Sequence, residues 1–317
     1  MKGVILAAGK GERLYPLSDN YPKTLLPICN KAVIVYQLEL MKGLGISDVV
    51  IVIGHYGYKI VEQLGNGSRF GLNIDYIEQK KPLGVAHAVG LVEPKIKDSF
   101  LLFLGDIFFV SKEFGKFVET FRAGGVNCLL AAKVEHDKER IKKNFAIIAD
   151  DEGRVRRVIE KPHYAGSDLK GCGLYIFDLH LFDAIRRTPK TAMRDEYELA
   201  DAIQILIEDG FAVKVMPVIE DDLNLTSIED LFEINMMELK NQGRLRLIGE
   251  NAVVKNIKKV VNSVIGANAV IGKDVEIVNS VVFPGVDLNG FSSSRITNSI
   301  VTAGGVYKID PDGGGMR

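Results

Sequence analysis

The sequence predicts an α/β protein: a doubly wound, mostly parallel sheet over residues 1–240, a short left-handed β-helix of hexapeptide repeats over 244–308, and a disordered tail over 309–317. Three observations predict it. Apolar runs of strand length alternate with amphipathic stretches of helix length through the first two-thirds of the chain. Residues 48–54, DVVIVIG, form a nearly unbroken β-branched run, the pattern of a parallel strand covered on both faces. Beyond Gly243 aromatics thin out and aliphatics recur at every sixth residue.

The elements follow in order. Val4-Ile5-Leu6 is a strand that meets a loop of small residues, Ala7-Ala8-Gly9-Lys10-Gly11. Backbone N–H groups in such a loop can approach an anion without interference from Cβ atoms. Arg13 and Lys23 bracket it with positive charge, so the stretch reads as a triphosphate cradle. It is not a Walker loop, and a dinucleotide fingerprint fails because Leu14 occupies the place of the third glycine. The glycines alone fit a tight turn equally well; Arg13 and the Pro22-Lys23 pair favour the cradle.

Residues 32–44 predict a helix, 48–54 and 73–79 strands, 84–92 a helix, and 100–104 (FLLFL) a central strand ending at Gly105-Asp106. Strands at 126–134, 145–149 and 154–160 come next. The last two are joined by a turn at 151–153 and are expected to form a lid or subdomain. Residues 173–177 return to the sheet. Residues 197–208 are a helix with Leu199, Ala202, Ile203, Leu206 and Ile207 on one face. A strand at 211–217 and a helix at 228–239 close the region. In the C-terminal part Ile265, Ile271 and Ile277 are six apart, and the pairs Asn262-Ser263, Asn279-Ser280 and Asn298-Ser299 are spaced by 17 and 19 residues. Three hexapeptides make one triangular coil of about 18 residues, hence a β-helix of roughly three coils.

Composition narrows the function classes. With 317 residues, 40 basic against 41 acidic side chains and a net charge of −1, no global attraction to nucleic acid or to a membrane is expected. No apolar run approaches membrane-spanning length and no signal peptide is expected. Cys29, Cys128 and Cys172 match neither a disulfide framework nor a zinc site. They read as small buried hydrophobes in a reducing cytoplasm.

Several motifs in order carry a resemblance: LAAGKGERLYPLS (6–18), PKTLLPI (22–28), EQKKPLGVAHAV (78–89), LGD (104–106), EKP (160–162) and EYELADAI (196–203). Together with the repeat region they resemble the sugar-phosphate nucleotidylyltransferases, and within these the long form of glucose-1-phosphate thymidylyltransferase. The resemblance implies a Rossmann-like nucleotidyltransferase fold for residues 1–240. The implied reaction joins a nucleoside triphosphate, dTTP or UTP favoured, to a sugar 1-phosphate, glucose 1-phosphate favoured, giving a nucleotide-sugar and pyrophosphate with Mg²⁺. The nucleophile is already an anionic phosphate oxygen, so the chemistry needs positioning and countercharge rather than a general base.

The resemblance assigns roles residue by residue. Arg13, Lys23, Asp106 and Lys161 are catalytic. Leu6, Ala7, Ala8, Gly9, Gly11, Arg13, Lys23, Gln79 and Gly84 bind the nucleotide, Gln79 and Gly84 at the base. A carboxamide suits an imide edge because it offers donor and acceptor. Ala146, Glu160, Lys161 and Gly171 meet the sugar phosphate, and Asp106 with Asn224 holds Mg²⁺.

Three positions depart from the family pattern. Asn224 stands where an Asp ligand is usual, and Asp222 should face the other way on a strand. Ala146 replaces a glycine, and its methyl is expected to crowd a sugar hydroxyl. Gly171 replaces an asparagine. These departures motivate a second reading, a nucleotide-sugar sensor on the same fold. Acyl transfer by the β-helix is disfavoured because the last histidine in the chain is His180. The β-helix is instead expected to join copies into a homo-oligomer, since an open coil end exposes core.

Overall fold

Val4 and Ile5 are fully buried, and their strand takes the middle of the main sheet because it has apolar neighbours on both sides. The structure is a computed structural model that describes residues 1–310 except 20, 143, 165, 193–194 and 292–293; residues 311–317 lie outside it. In chain order the main elements of the first two-thirds are β1 (Lys2–Ala7), α1 (Val33–Gly43), β2 (Asp48–Ile53), α2 (Gly57–Leu64), β3 (Asn73–Glu78), α3 (Val85–Gly90), β4 (Phe100–Leu104), β5 (Ile107–Val110) and α4 (Phe114–Arg122). There follow β6 (Cys128–Val134), β7 (Phe145–Ala149), β8 (Val155–Glu160), β9 (Leu169–Phe177), α5 (His180–Arg187), α6 (Leu199–Glu208), β10 (Val213–Met216), β11 (Asp221–Asn224) and α7 (Ile228–Asn241).

Strands β4, β1, β2 and β3 are parallel neighbours, Val4 lying opposite Leu102 on one side and Val50 on the other. β9 runs antiparallel to β4, then β6 antiparallel to β9, and β10 parallel to β6. Helices α3, α5 and α6 contribute Ala88, Leu181 and Ile203 to the core over this sheet. The expected lid is corrected: the β7–β8 hairpin extends the main sheet. Nine-residue β9 is long enough to pair through Leu174–Phe177 with β4 and through Leu169–Gly171 with β7. β5 and β11 make a small two-stranded sheet of their own.

The chain divides into two compact units that are not consecutive in sequence. One comprises Met1–Lys10, Asp19–Thr24 and Tyr36–Leu223; the other comprises Gly11–Ser18, Leu25–Val35 and Asn224–Arg317. In the second unit Asn235 of α7 ties distant segments together. Its Oδ1 accepts from the Cys29 backbone N–H at 2.8 Å, and its Nδ2 donates to the Pro27 carbonyl at 3.0 Å. The start of α7 is fixed by a reciprocal cap between Ser227 and Asp230.

C-terminal to α7, parallel strands stack at the spacing of the sequence repeat. Leu247 lies opposite Val264, Val264 opposite Val281, and Val281 opposite Ile300. A second ladder stacks Val253, Val270 and Asp287. The Asn-Ser pairs now have a physical reason. Asn262, Asn279 and Asn298 take left-handed backbone at φ 44°, 47° and 48°, which asparagine tolerates, and their side chains bond one to the next. Ser263, Ser280 and Ser299 are buried, and the hydroxyl of each of the first two accepts the backbone N–H of the next. Gly305–Lys308 folds back antiparallel on the last strand. The expected tail begins later than residue 309: Ile309 is buried and donates its N–H to the Asn298 carbonyl at 2.7 Å. The remainder of the tail, from 311, lies outside the described residues.

Candidate active site

Ligand chemistry in an open α/β sheet belongs at the carboxyl ends of its strands. β1 ends at Ala7 and β4 at Leu104, and Gly105 brings the two ends together. Its N–H donates to the Leu6 carbonyl at 2.9 Å, and a Cβ on it would stand 2.6 Å from that same oxygen. Gln37 of α1, buried, donates to the carbonyls of Leu104 and Ile107 at 2.9 and 3.0 Å. The turn carrying Asp106 is therefore held from both sides.

A cleft of about 280 Å³ opens over these strand ends, lined by Leu6, Ala7, Ala8, Gly9, Lys23, Gln79, Gly84 and Asp106 among others. The Lys23 ammonium, 13 % exposed, donates to the Asp106 carboxylate. Thus a cation already sits on Asp106. No group of three or more His, Cys, Asp or Glu side chains suited to a metal occurs among the described residues. Mg²⁺ does not require one: it is commonly held by one or two carboxylates, with substrate phosphates and waters as the other ligands. A cleft-lining carboxylate that accepts a cation fits that mode.

Another side of this cleft is built by α3 and the segment before α6. Gly84 has φ +106°, and a Cβ there would meet the Tyr197 backbone at 2.5 Å, so glycine is required twice over. The Tyr197 N–H donates to the Leu83 carbonyl, and the Ala86 N–H to the Tyr197 carbonyl, at 2.8 and 2.9 Å. Gln79 Nε2 lies 3.2 Å from the Gly84 carbonyl and 3.0 Å from His87 Nδ1.

Glu160 and Lys161 line a different cleft of about 500 Å³, with Glu198, Asp201 and Gln204. Burial raises the Asp201 carboxyl above its usual range. Lys161 has strained backbone at φ 45°, and its N–H donates to the Asn144 carbonyl at 2.7 Å. Ala146 is buried against Ile141, so its methyl packs into the protein, contrary to the expectation that it crowds a sugar. Gly171 is explained sterically: any Cβ there would fall 1.9 Å from the Phe145 ring.

Asp222 is no substitute metal ligand, being buried and paired with Lys170 at 2.6 Å. Beside this pair, Lys133 bonds Asp221 at 2.7 Å; burial works against its charge, but the hydrogen bond to Asp221 and the charges of Asp221, Glu135 and Asp222 together more than offset it and raise its pKa. Gly11, Arg13 and Asn224 belong to the second compact unit. There Gly11 is left-handed at φ 70°, Arg13 is exposed and Asn224 half-buried. Leu14, the residue that breaks the dinucleotide fingerprint, is fully buried. Sequence reasoning did not assign Lys10, Thr24, Pro82 or Glu196 to the cleft, although all four lie inside the quoted motifs.

Comparison with known proteins identifies the family. Residues 2–241 match the model of the nucleotidyl transferase family. The chain is 36 % identical over 245 residues to a low-salt glycan biosynthesis nucleotidyltransferase of Haloferax volcanii, covering 76 % of this chain and 67 % of that protein. It is 34 % identical over 284 residues to a glucose-1-phosphate thymidylyltransferase of Streptomyces griseus, covering 84 % and 78 %. A putative glucose-1-phosphate thymidylyltransferase from Bacillus anthracis, solved with sucrose, superposes with TM-score 0.66 at 27 % identity, over 75 % of this chain and 94 % of that one. A UDP-glucose pyrophosphorylase solved with UDP-glucose shares the fold at 22 % identity and TM-score 0.66, over 76 % and 98 %. On its residues, its fold and these relatives, the chain belongs to the nucleotidyl transferase family.

Proposed function

We propose that the protein transfers a nucleotidyl group from dTTP or UTP to a sugar 1-phosphate, with glucose 1-phosphate the favoured acceptor, releasing pyrophosphate. The observation that carries this reading is the grouping of the glycine loop, Lys23, Asp106, Gln79 and Gly84 round one cleft at the strand ends. Lys23 neutralises the phosphates about the attacked phosphorus, and the loop N–H groups of residues 8–9 hold the triphosphate. Mg²⁺, when bound, offsets the charge of the two approaching polyanions. Asp106 is the carboxylate of this chain that would hold it, and Lys23 also supplies countercharge there. The Lys161 ammonium meets the sugar phosphate, and Glu160 accepts from sugar hydroxyls.

The roles of Arg13, at the departing pyrophosphate, and of Asn224, as a second metal ligand, rest on the resemblance. We read the C-terminal ladder as a left-handed β-helix that joins copies of the chain. Exposed Val253, Ile257, Val261 and Phe291 on this region support a surface that is covered in an assembly. Among the described residues no helix is long and apolar enough to cross a membrane. We place the enzyme in the cytoplasm.

A matrix of nucleoside triphosphates against sugar 1-phosphates, scored by product, tests the substrate reading. Product from dTTP or UTP with glucose 1-phosphate is expected; product only from purine triphosphates would contradict it. The sensor reading keeps one specific support, the neutral Asn224, and tight nucleotide binding with no product from any pair would favour it.

A further inference from the structure

The Gln79 side chain is already committed on one end. Its Nε2 lies 3.2 Å from the Gly84 carbonyl, which can only accept, so the amide nitrogen and not the oxygen faces that carbonyl. The second hydrogen of Nε2 points at His87 Nδ1, 3.0 Å away. That nitrogen must then be an acceptor, which fixes His87 as the neutral tautomer with its proton on Nε2. Burial lowers the His87 pKa below its usual value and favours the neutral ring. His87 lies on α3 inside the motif EQKKPLGVAHAV and is not a lining residue of the cleft.

We propose that His87 is the positioning residue for base selection: by accepting from Gln79 Nε2 it leaves Gln79 Oε1 as the free end of the carboxamide, an obligate acceptor towards the nucleotide base. The sequence expectation that Gln79 serves as both donor and acceptor is thereby narrowed. An imide base such as thymine or uracil presents a ring N–H that Oε1 accepts. Cytosine and adenine present an unprotonated ring nitrogen at that edge, and two acceptors facing each other repel. With no acceptor at residue 87, only the longer contact to the Gly84 carbonyl opposes rotation of the Gln79 amide, and the rotated amide admits cytosine. This inference rests on the reading of Gln79 as the base contact.

The test uses the full chain with Mg²⁺ and compares binding of dTTP and dCTP, and kcat and KM for dTTP, in the wild type, His87→Leu, His87→Asn and Gln79→Leu, with circular dichroism confirming the fold. Asparagine presents Oδ1 about where histidine presents Nδ1, so it rescues the interaction. The preference for dTTP over dCTP is expected to fall roughly tenfold in His87→Leu, with KM rising and kcat nearly unchanged, and to be restored in His87→Asn. Equal losses in both His87 variants, a loss equal for both nucleotides, or no change would overturn the proposal. If Gln79→Leu abolishes the preference while His87→Leu keeps it, the positioning role fails and the base contact stands. If Gln79→Leu keeps the preference, the base contact itself fails, and with it the proposal.

Discussion

Lys23 and Asp106 are 83 residues apart in sequence, yet one ammonium serves one carboxylate at the mouth of the cleft. The pairing has a chemical consequence. Removing Asp106 deletes the carboxylate proposed to receive a divalent cation and leaves the Lys23 ammonium without its partner. Asp106→Ala is expected to lower turnover by about 10²- to 10³-fold or more, with the circular dichroism spectrum unchanged. Retained full activity in a steady-state assay would refute the metal assignment. At this scale the sequence was most informative about residue identity and least informative about orientation. Gly9, Lys23, Gln79, Gly84 and Asp106 were all named in advance, and the cleft gathers them. What the carboxamide of Gln79 does depends on a carbonyl and an imidazole that face it in three dimensions, which no spacing rule encodes. Ala146 was misjudged for a related reason: packing against Ile141 decides where its methyl points.

Strands and helices were legible where one pattern dominated. The β-branched run of β2 and the apolar run of β4 fall within a residue of their expected ends. Helices α2, α4 and α5 were not read, although each buries one apolar face, Phe117, Val118 and Phe121 in α4 and Leu181, Phe182 and Ala184 in α5. The hairpin β7–β8 was misplaced as a lid because pairing partners are a property of β9, whose length lets it reach both β4 and β7. The link between α7 and the segment around Cys29 was equally hidden, since one buried asparagine carries it across 206 residues. Asn235→Leu leaves the Cys29 N–H and the Pro27 carbonyl without their partner inside the protein. A loss of about 2–3 kcal/mol in unfolding free energy by urea titration is expected. A change below about 0.5 kcal/mol would show that the asparagine is not what fastens these segments. Burial pushes the neighbouring Cys29 thiol up to about 12, so it stays protonated and unreactive near neutral pH.

At the scale of the whole molecule, the family membership covers the first 241 residues and the repeat region adds a second feature. The sixfold spacing and the Asn-Ser pairs were the clearest long-range signal in the sequence, and the stacked ladders reproduce their 17- and 19-residue offsets. An exposed coil with apolar side chains at Val253, Val261 and Phe291 is expected to be covered by another copy. Light scattering should therefore return a mass that is a multiple of 34.9 kDa. A monomer at micromolar concentration would sink the assembly role.

The central claim is chemical, and pyrophosphate release tests it most directly. With dTTP, glucose 1-phosphate and Mg²⁺, the protein is expected to release pyrophosphate in step with nucleotide-sugar formation, and chelation of the metal is expected to stop both. Tight binding of dTTP without pyrophosphate release, from this or any other pair of substrates, would contradict it.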